Sequence, residues 1–168
     1  MSATPPTAAD IAELSALVAA VDDPELPHVT IGDLGIVRSV ELVDGGRARI
    51  VLTPTFTGCP AATLIASDVA DVVRRCGYVP DVVVQLAPPW STDWISPAGR
   101  RKLASAGIAP PPTGAAGGDL DILLDLPVAC PQCGSRRTKR QSEFGSTACK
   151  APYVCLACRE PFEGFKPL

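Results

Sequence analysis

Seven cysteines, a single histidine and two carboxylate-rich loops are the groups in this 168-residue chain best placed to do chemistry. Four of the cysteines form two pairs, Cys130-Pro-Gln-Cys133 and Cys155-Leu-Ala-Cys158, separated by twenty-one residues. Each C-x2-C knuckle turns two thiolates toward one point, and two knuckles together complete a tetrahedron. The spacing predicts one structural zinc per chain. A rubredoxin-like iron or an iron–sulfur cluster is the alternative, since four thiolates serve those centres too. A closed four-thiolate site keeps no open position for a water nucleophile, so this segment reads as a scaffold and docking surface rather than a catalyst.

Cys59 is the other suggestive thiol. It precedes Pro60 at the expected start of a helix, where unpaired amides and the helix dipole favour a thiolate. No His, Asp or Glu stands near it in sequence, and the lone His28 reads as a surface loop residue. A thiol enzyme therefore lacks a recognisable base. Asp22-Asp23-Pro24-Glu25-Leu26-Pro27 and Asp33-Leu34-Gly35 are loops whose carboxylates could flank Cys59 or help to bind a metal ion. The alternative is that they only cap helices and form turns. Cys76 falls on an apolar helix face and reads as core. Cys149 is surplus to the tetrahedral set: either a small buried residue, or a free thiol made more acidic by Lys150.

The elements that must position these groups are legible from periodicity. Thr7 and Asp10 form a capping pair ahead of Ile11, Leu14, Val18 and Val21 at helical spacing. Residues 36–43 and 47–53 alternate as two strands around Asp44-Gly45-Gly46, a hairpin. A second helix is expected from Pro60, with Ala61, Ile65, Val69, Val72 and Cys76 as its apolar stripe. A third strand follows at 81–86 and a short helix at 97–106. The order αββαβα over residues 8–108 defines a small α+β domain. Residues 109–127 are expected to be a Pro/Gly-rich linker and clasp, and 128–168 a zinc ribbon. About 40 residues bury too little core to fold without a metal or other cross-link.

Composition bounds the partners. The net charge is −3, but it divides into −7 for residues 1–127 and +4 for 128–168. The basic ribbon face of Arg136, Arg137, Lys139 and Arg140 reads as solvated or as a surface for an acidic protein. An acidic chain with few aromatics is not expected to bind nucleic acid. No Lys or Arg precedes Arg38 and no apolar run is long enough to span a bilayer, so a cytoplasmic protein without membrane contact is expected. In that compartment seven cysteines imply metal or thiol chemistry before disulfides.

The motifs Asp23-Pro24-Glu25-x-Pro27, Asp33-Leu34-Gly35-Ile36-Val37, Leu52-Thr53-Pro54-Thr55 and Thr57-Gly58-Cys59-Pro60 resemble the iron–sulfur assembly domain of SufT-like proteins. With Pro88-Pro89-Trp90, the segment Phe144 to Lys150 and the ribbon ending Glu160-Pro161-Phe162-x-x-Phe165-Lys166, the chain is similar to the PaaD family. That family supplies the D component of bacterial phenylacetyl-CoA epoxidase systems. His28 stands where the family pattern suggests an aliphatic residue. The resemblance implies an accessory or maturation role in aerobic phenylacetate catabolism, not an enzyme. It implies Cys59 as a transient iron or cluster ligand, with Asp23, Glu25 and Thr57 shaping its surroundings. The client it implies is the reductase subunit with its [2Fe–2S] centre, with the oxygenase subunits and a second copy of the chain as further candidates. A purely structural accessory subunit, without cluster chemistry, is the competing reading.

Overall fold

The computed structural model describes residues 7–43, 45–114 and 128–167. Helix α1, Ala8–Ala19, begins at a capping box. The Thr7 side chain accepts from the Asp10 amide, and the Asp10 carboxylate accepts from the Thr7 amide at 2.7 Å. Two donors left over by the first turn are thereby satisfied. Leu14 and Val18 carry the helix into the core.

Strands β1 (Val37–Val43) and β2 (Arg47–Leu52) form the expected antiparallel hairpin. Gly45 and Gly46 turn it with φ of 80° and 72°, left-handed backbone that glycine adopts without strain. Helix α2 (Ala62–Arg75) then crosses over to β3 (Val79–Val84), which lies parallel to β2. A parallel neighbour needs such a crossover, so the sheet order is β1-β2-β3. Helix α3 (Pro97–Ser105) is capped by Ser96, whose hydroxyl accepts from the Gly99 amide at 2.9 Å. The αββαβα order is as the sequence indicates. Two boundaries move: β3 runs two residues earlier than the expected 81–86, and α2 starts at Ala62 rather than Pro60, after a tight turn in which the Ala62 amide bonds the Cys59 carbonyl at 3.2 Å.

The C-terminal unit is a second sheet. Strands β5 (Thr138–Arg140), β6 (Lys150–Cys155) and β7 (Pro161–Phe165) are antiparallel neighbours. A short β4, Ile108–Ala109, adds to β7 in parallel, giving the order β4-β7-β6-β5. Residues 108 and 109, which flank the expected domain boundary, thus both lie in the ribbon's own sheet. The ribbon is not a detached lobe. Phe165 and Cys149 are buried in the same apolar cluster as Leu14, Leu26 and Ile50 of the first domain. What remains as the ribbon's private core is small: Val128, Ala151, Tyr153 and Phe162, with Ala109 and two cysteines. Of the linker and clasp expected at 109–127, residues 115–127 lie outside the described residues.

Candidate functional site

Two places in the fold gather reactive groups. At the first, the knuckles after Val128 and at the end of β6 bring Cys130, Cys133, Cys155 and Cys158 together, with all four sulfurs within 4.8 Å of one another. Cys130 Sγ lies 3.7 Å from Cys158 Sγ, and Cys133 Sγ lies 3.6 Å from Cys155 Sγ. A tetrahedron of thiolates about 2.3 Å from a zinc ion has edges of about 3.8 Å, so the donor set fits a four-coordinate metal. Backbone amides stiffen the knuckles: Gly134 donates to the Cys130 carbonyl at 2.8 Å, and Cys158 donates to Cys155 Sγ at 3.5 Å. Cys130 and Cys155 are buried while Cys133 and Cys158 face outward.

The second place is built around Cys59, in the turn that joins β2 to α2. Residues 22–30 fold back as a loop closed by the Asp22–Thr30 bridge. The loop is pinned by buried Leu26 and Val29 and by an Asp23 amide bond to the Val29 carbonyl at 2.9 Å. Asp23 Oδ1 accepts from the Glu25 amide at 2.8 Å, an Asx turn that ties the two acidic residues together. Their charge reaches Cys59. Partial burial raises its thiol pKa above the ordinary value, and the nearby Glu25 and Asp23 carboxylates raise it further. The amides of Ala61 and Ala62 favour the thiolate, as a helix start should, but they are outweighed. The thiolate expected from sequence is therefore not the resting form. Burial likewise pushes the Asp23 carboxyl up, partly relieved by the amides of Glu25 and Leu26 and by the charge of Lys150.

Of the residues named from sequence, the structure brings Asp23 and Glu25 into the electrostatic surroundings of Cys59. Thr57 is exposed and lines a hollow of about 450 Å³ beside Phe56, Leu86, Pro88 and Trp90. Asp33 does a different job. It accepts from the Thr30 amide and hydroxyl, both at 3.1 Å, and pairs with Lys102 of α3. Burial works against its ionisation, but these partners hold its pKa below the usual carboxylate value. It is a strut between the 30–33 turn and α3. Gly35, at φ 67°, packs so closely that a Cβ there would lie 2.5 Å from the Trp94 carbonyl oxygen. His28 is an exposed turn residue at φ 62° that borders α3. Cys76 caps the far end of α2, about 21 Å of helix away from Cys59.

Sequence reasoning did not bring the ribbon's Cys149 and Lys150 within electrostatic reach of the Asp23–Glu25 loop. Cys149, just before β6, is 5% exposed. Burial pushes its thiol up to about 11, Glu25 and Asp23 add to the rise, and Thr147 and Lys150 oppose it. Lys150 is itself buried and bonds Glu163 at 2.9 Å, so its cation does not make Cys149 acidic. The one signal in the chain is that Cys149 is surplus to the tetrahedral set.

The fold and the two sites together define an iron–sulfur-assembly-type α+β domain joined to a zinc ribbon. Residues 11–85 match the iron–sulfur cluster assembly protein family, and residues 121–166 match the PaaD zinc beta ribbon domain. The chain is 45% identical over 155 residues to a protein of Escherichia coli K12 named as the D component of 1,2-phenylacetyl-CoA epoxidase, covering 92% of this chain and 91% of that one. The chain belongs to the PaaD family. Its first domain is also 37% identical over 78 residues to the Fe-S protein maturation auxiliary factor YitW of Bacillus subtilis, covering 45% of this chain and 76% of that one. A crystal structure of a domain of unknown function from Bacillus anthracis superposes with a TM-score of 0.52 at 37% identity, over 56% of this chain and 92% of that one. Among the described residues, no helix is long and apolar enough to cross a membrane.

Proposed function

We propose that the chain is an accessory protein of a phenylacetyl-CoA epoxidase system, acting in assembly or delivery of an iron–sulfur cluster to the reductase subunit. One structural zinc sits at Cys130, Cys133, Cys155 and Cys158, and Cys59 is the transient ligand of the cargo. The observation that supports the reading is that the Asp23–Glu25 loop sets its two carboxylates within electrostatic reach of the Cys59 thiol. Carboxylates disfavour a bare thiolate and so make Cys59 a poor nucleophile at neutral pH. The same charges favour a cation, and a bound metal ion reverses the local pKa logic by deprotonating the thiol it takes. The surroundings suit iron better than an electrophilic substrate. The four-thiolate ribbon offers no open coordination position, which supports a scaffold there.

A structural subunit without cluster chemistry is the reading that the raised Cys59 pKa by itself favours. Isolating the reductase from a strain that lacks this gene separates the two. A maturation factor predicts reductase polypeptide at normal level with depleted iron, sulfide and visible absorption. A structural subunit predicts a fully loaded reductase and a disturbed complex.

A further inference from the structure

We infer that the outer edge of β3 is a self-association surface, on which a second copy of the chain adds its own β3 antiparallel about a two-fold axis at Val83. The inference is independent of the role proposed for Cys59.

β3 ends the order β1-β2-β3, and among the described residues no strand lies on its far side. The Val79 amide bonds the Gly46 carbonyl at 2.9 Å, and the Gln85 amide bonds the Leu52 carbonyl at 2.8 Å. In a parallel ladder alternate residues turn their backbone groups to one neighbour, so the odd-numbered residues of β3 face β2. Val82 and Val84 therefore turn theirs outward. Pro80 also falls on the outward side, where a strand tolerates a residue without an amide. Val79, Val83, Val84 and Leu86 are all exposed, Val79 at 58% and Leu86 at 51%. The other free edges are blunted by charge, irregularity or shortness, as edges usually are. β1 carries Arg38 and Glu41 and has a register shift between Val37 and Ser39. β4 and β5 are only two and three residues long, and β5 carries Lys139 and Arg140. The one charge on β3, Asp81, is paired with Arg49 of β2 at 2.9 Å.

A row of unpaired amides and carbonyls on an exposed edge recognises another extended backbone, and the sequence of this edge indicates whose. Residues 80–86, Pro-Asp-Val-Val-Val-Gln-Leu, have the same character in both directions from Val83. Val82 mirrors Val84, Asp81 mirrors Gln85, and Pro80 mirrors Leu86. An antiparallel pair centred at Val83 sets Val82 against Val84 of the second copy, where the two residues exchange backbone bonds. Val83 meets its own counterpart. Asp81 falls opposite Gln85, so no like charges meet across the strands. Pro80 falls opposite Leu86, and its carbonyl can accept where it has no amide to give. The contact is isologous and closes at two copies, joining the two three-stranded sheets into one. Leu86 also lines the hollow that Thr57 borders, so the interface ends near the turn that carries Cys59.

The test is sedimentation equilibrium of the zinc-loaded full chain through the micromolar range, with and without charge placed on the axis. The unmodified chain should pass from one copy per particle to two as concentration rises. Val83→Lys and Val83→Glu each set like charges face to face and should each weaken association about tenfold or more. An equimolar mixture of the two variants should recover the particle of two copies, because a self-paired residue then meets its opposite charge. An unmodified chain that stays monomeric throughout the range overturns the proposal. A dimer indifferent to Val83→Lys, which would use another surface, overturns it too. Amide exchange covers one more case: a monomer with the Val82 and Val84 amides protected would show the edge taken by the same chain, as by its 119–126 segment, and also overturns the proposal. The mass of the unmodified chain needs no variant, so misfolding of a variant cannot mask the answer.

Discussion

The indole of Trp90 lies against the ring of Phe165, with centroids 5.8 Å apart and planes inclined by 49°. Trp90 Nε1 donates to the Leu34 carbonyl at 2.9 Å. The last strand of the ribbon is thus packed on a side chain that the assembly domain has already fixed by a buried hydrogen bond. This contact, with Cys149 in the same cluster, explains why the Asp23–Glu25 loop feels the charge of ribbon Lys150.

Phe165→Ala should therefore destabilise both units together. A fully buried phenylalanine cut to alanine costs about 3–5 kcal/mol. Chemical denaturation should show one transition in the unmodified chain, displaced to lower denaturant in the variant. A loss confined to the ribbon, with the Trp90 environment unchanged in fluorescence, would contradict a shared core.

Removing the ribbon's metal should have the same reach. The private core of the ribbon is only a few side chains, whereas structural zinc supplies about 10–16 kcal/mol of apparent binding energy to small metal-folded units. Chelation, or Cys155→Ser, should lose about one zinc per chain and shift tryptophan emission as Phe165 leaves Trp90. Retention of ribbon structure without metal would count against the site.

Glu163 ties the Cys149 turn to β7. Burial raises its pKa, but Lys150 and Ser146 prevail and hold it below the ordinary glutamate value of 4.5. With the folded pKa depressed, the stability it contributes is complete above the unfolded-state range and is lost as pH falls below about 4.5 toward the folded value. Glu163→Gln leaves Lys150 buried without its counter-charge and should cost on the order of 3 kcal/mol at pH 7. Comparing zinc-loaded wild type and variant by denaturant midpoint, that gap should narrow steadily below about pH 4.5. A gap independent of pH would show that the ion pair is not its source.

Alkylation should expose the charge environment of Cys59. Because burial and two carboxylates raise its pKa, the metal-free thiol should react slowly at pH 7 and accelerate through and above pH 9. Asp23→Asn with Glu25→Gln removes the repulsion and should speed the reaction at pH 7.5. Equal rates with and without the carboxylates would mean that they do not act on the thiol.

Local chemistry makes much of this readable from the chain alone. The Thr7–Asp10 capping box, the Gly45-Gly46 hairpin and the two C-x2-C knuckles each depend on residues within a few positions of one another, and each is present. Asp33 is ambiguous in the sequence because its partner, Lys102, lies on a helix far along the chain. The acidity expected of Cys59 fails for a related reason: the helix start is local, while the opposing carboxylates arrive from a loop before β1. The placement of Cys149 depends on β7 accepting β4 in parallel and on Phe165 seating against Trp90. Neither contact has a periodic signature.

The role proposed for Cys59 is to handle the cargo, not merely to pack. Its most direct test is the [2Fe–2S] content of reductase isolated anaerobically from a deletion strain complemented with Cys59→Ser, in parallel with the unmodified gene. The substitution is nearly isosteric and lies outside the ribbon's sulfur group, so fold and zinc should be retained. Serine is a poor ligand for iron. Cargo handling by Cys59 predicts reductase as cluster-poor as in the uncomplemented deletion strain; reductase loaded to the unmodified level, with growth on phenylacetate restored, would rule that role out.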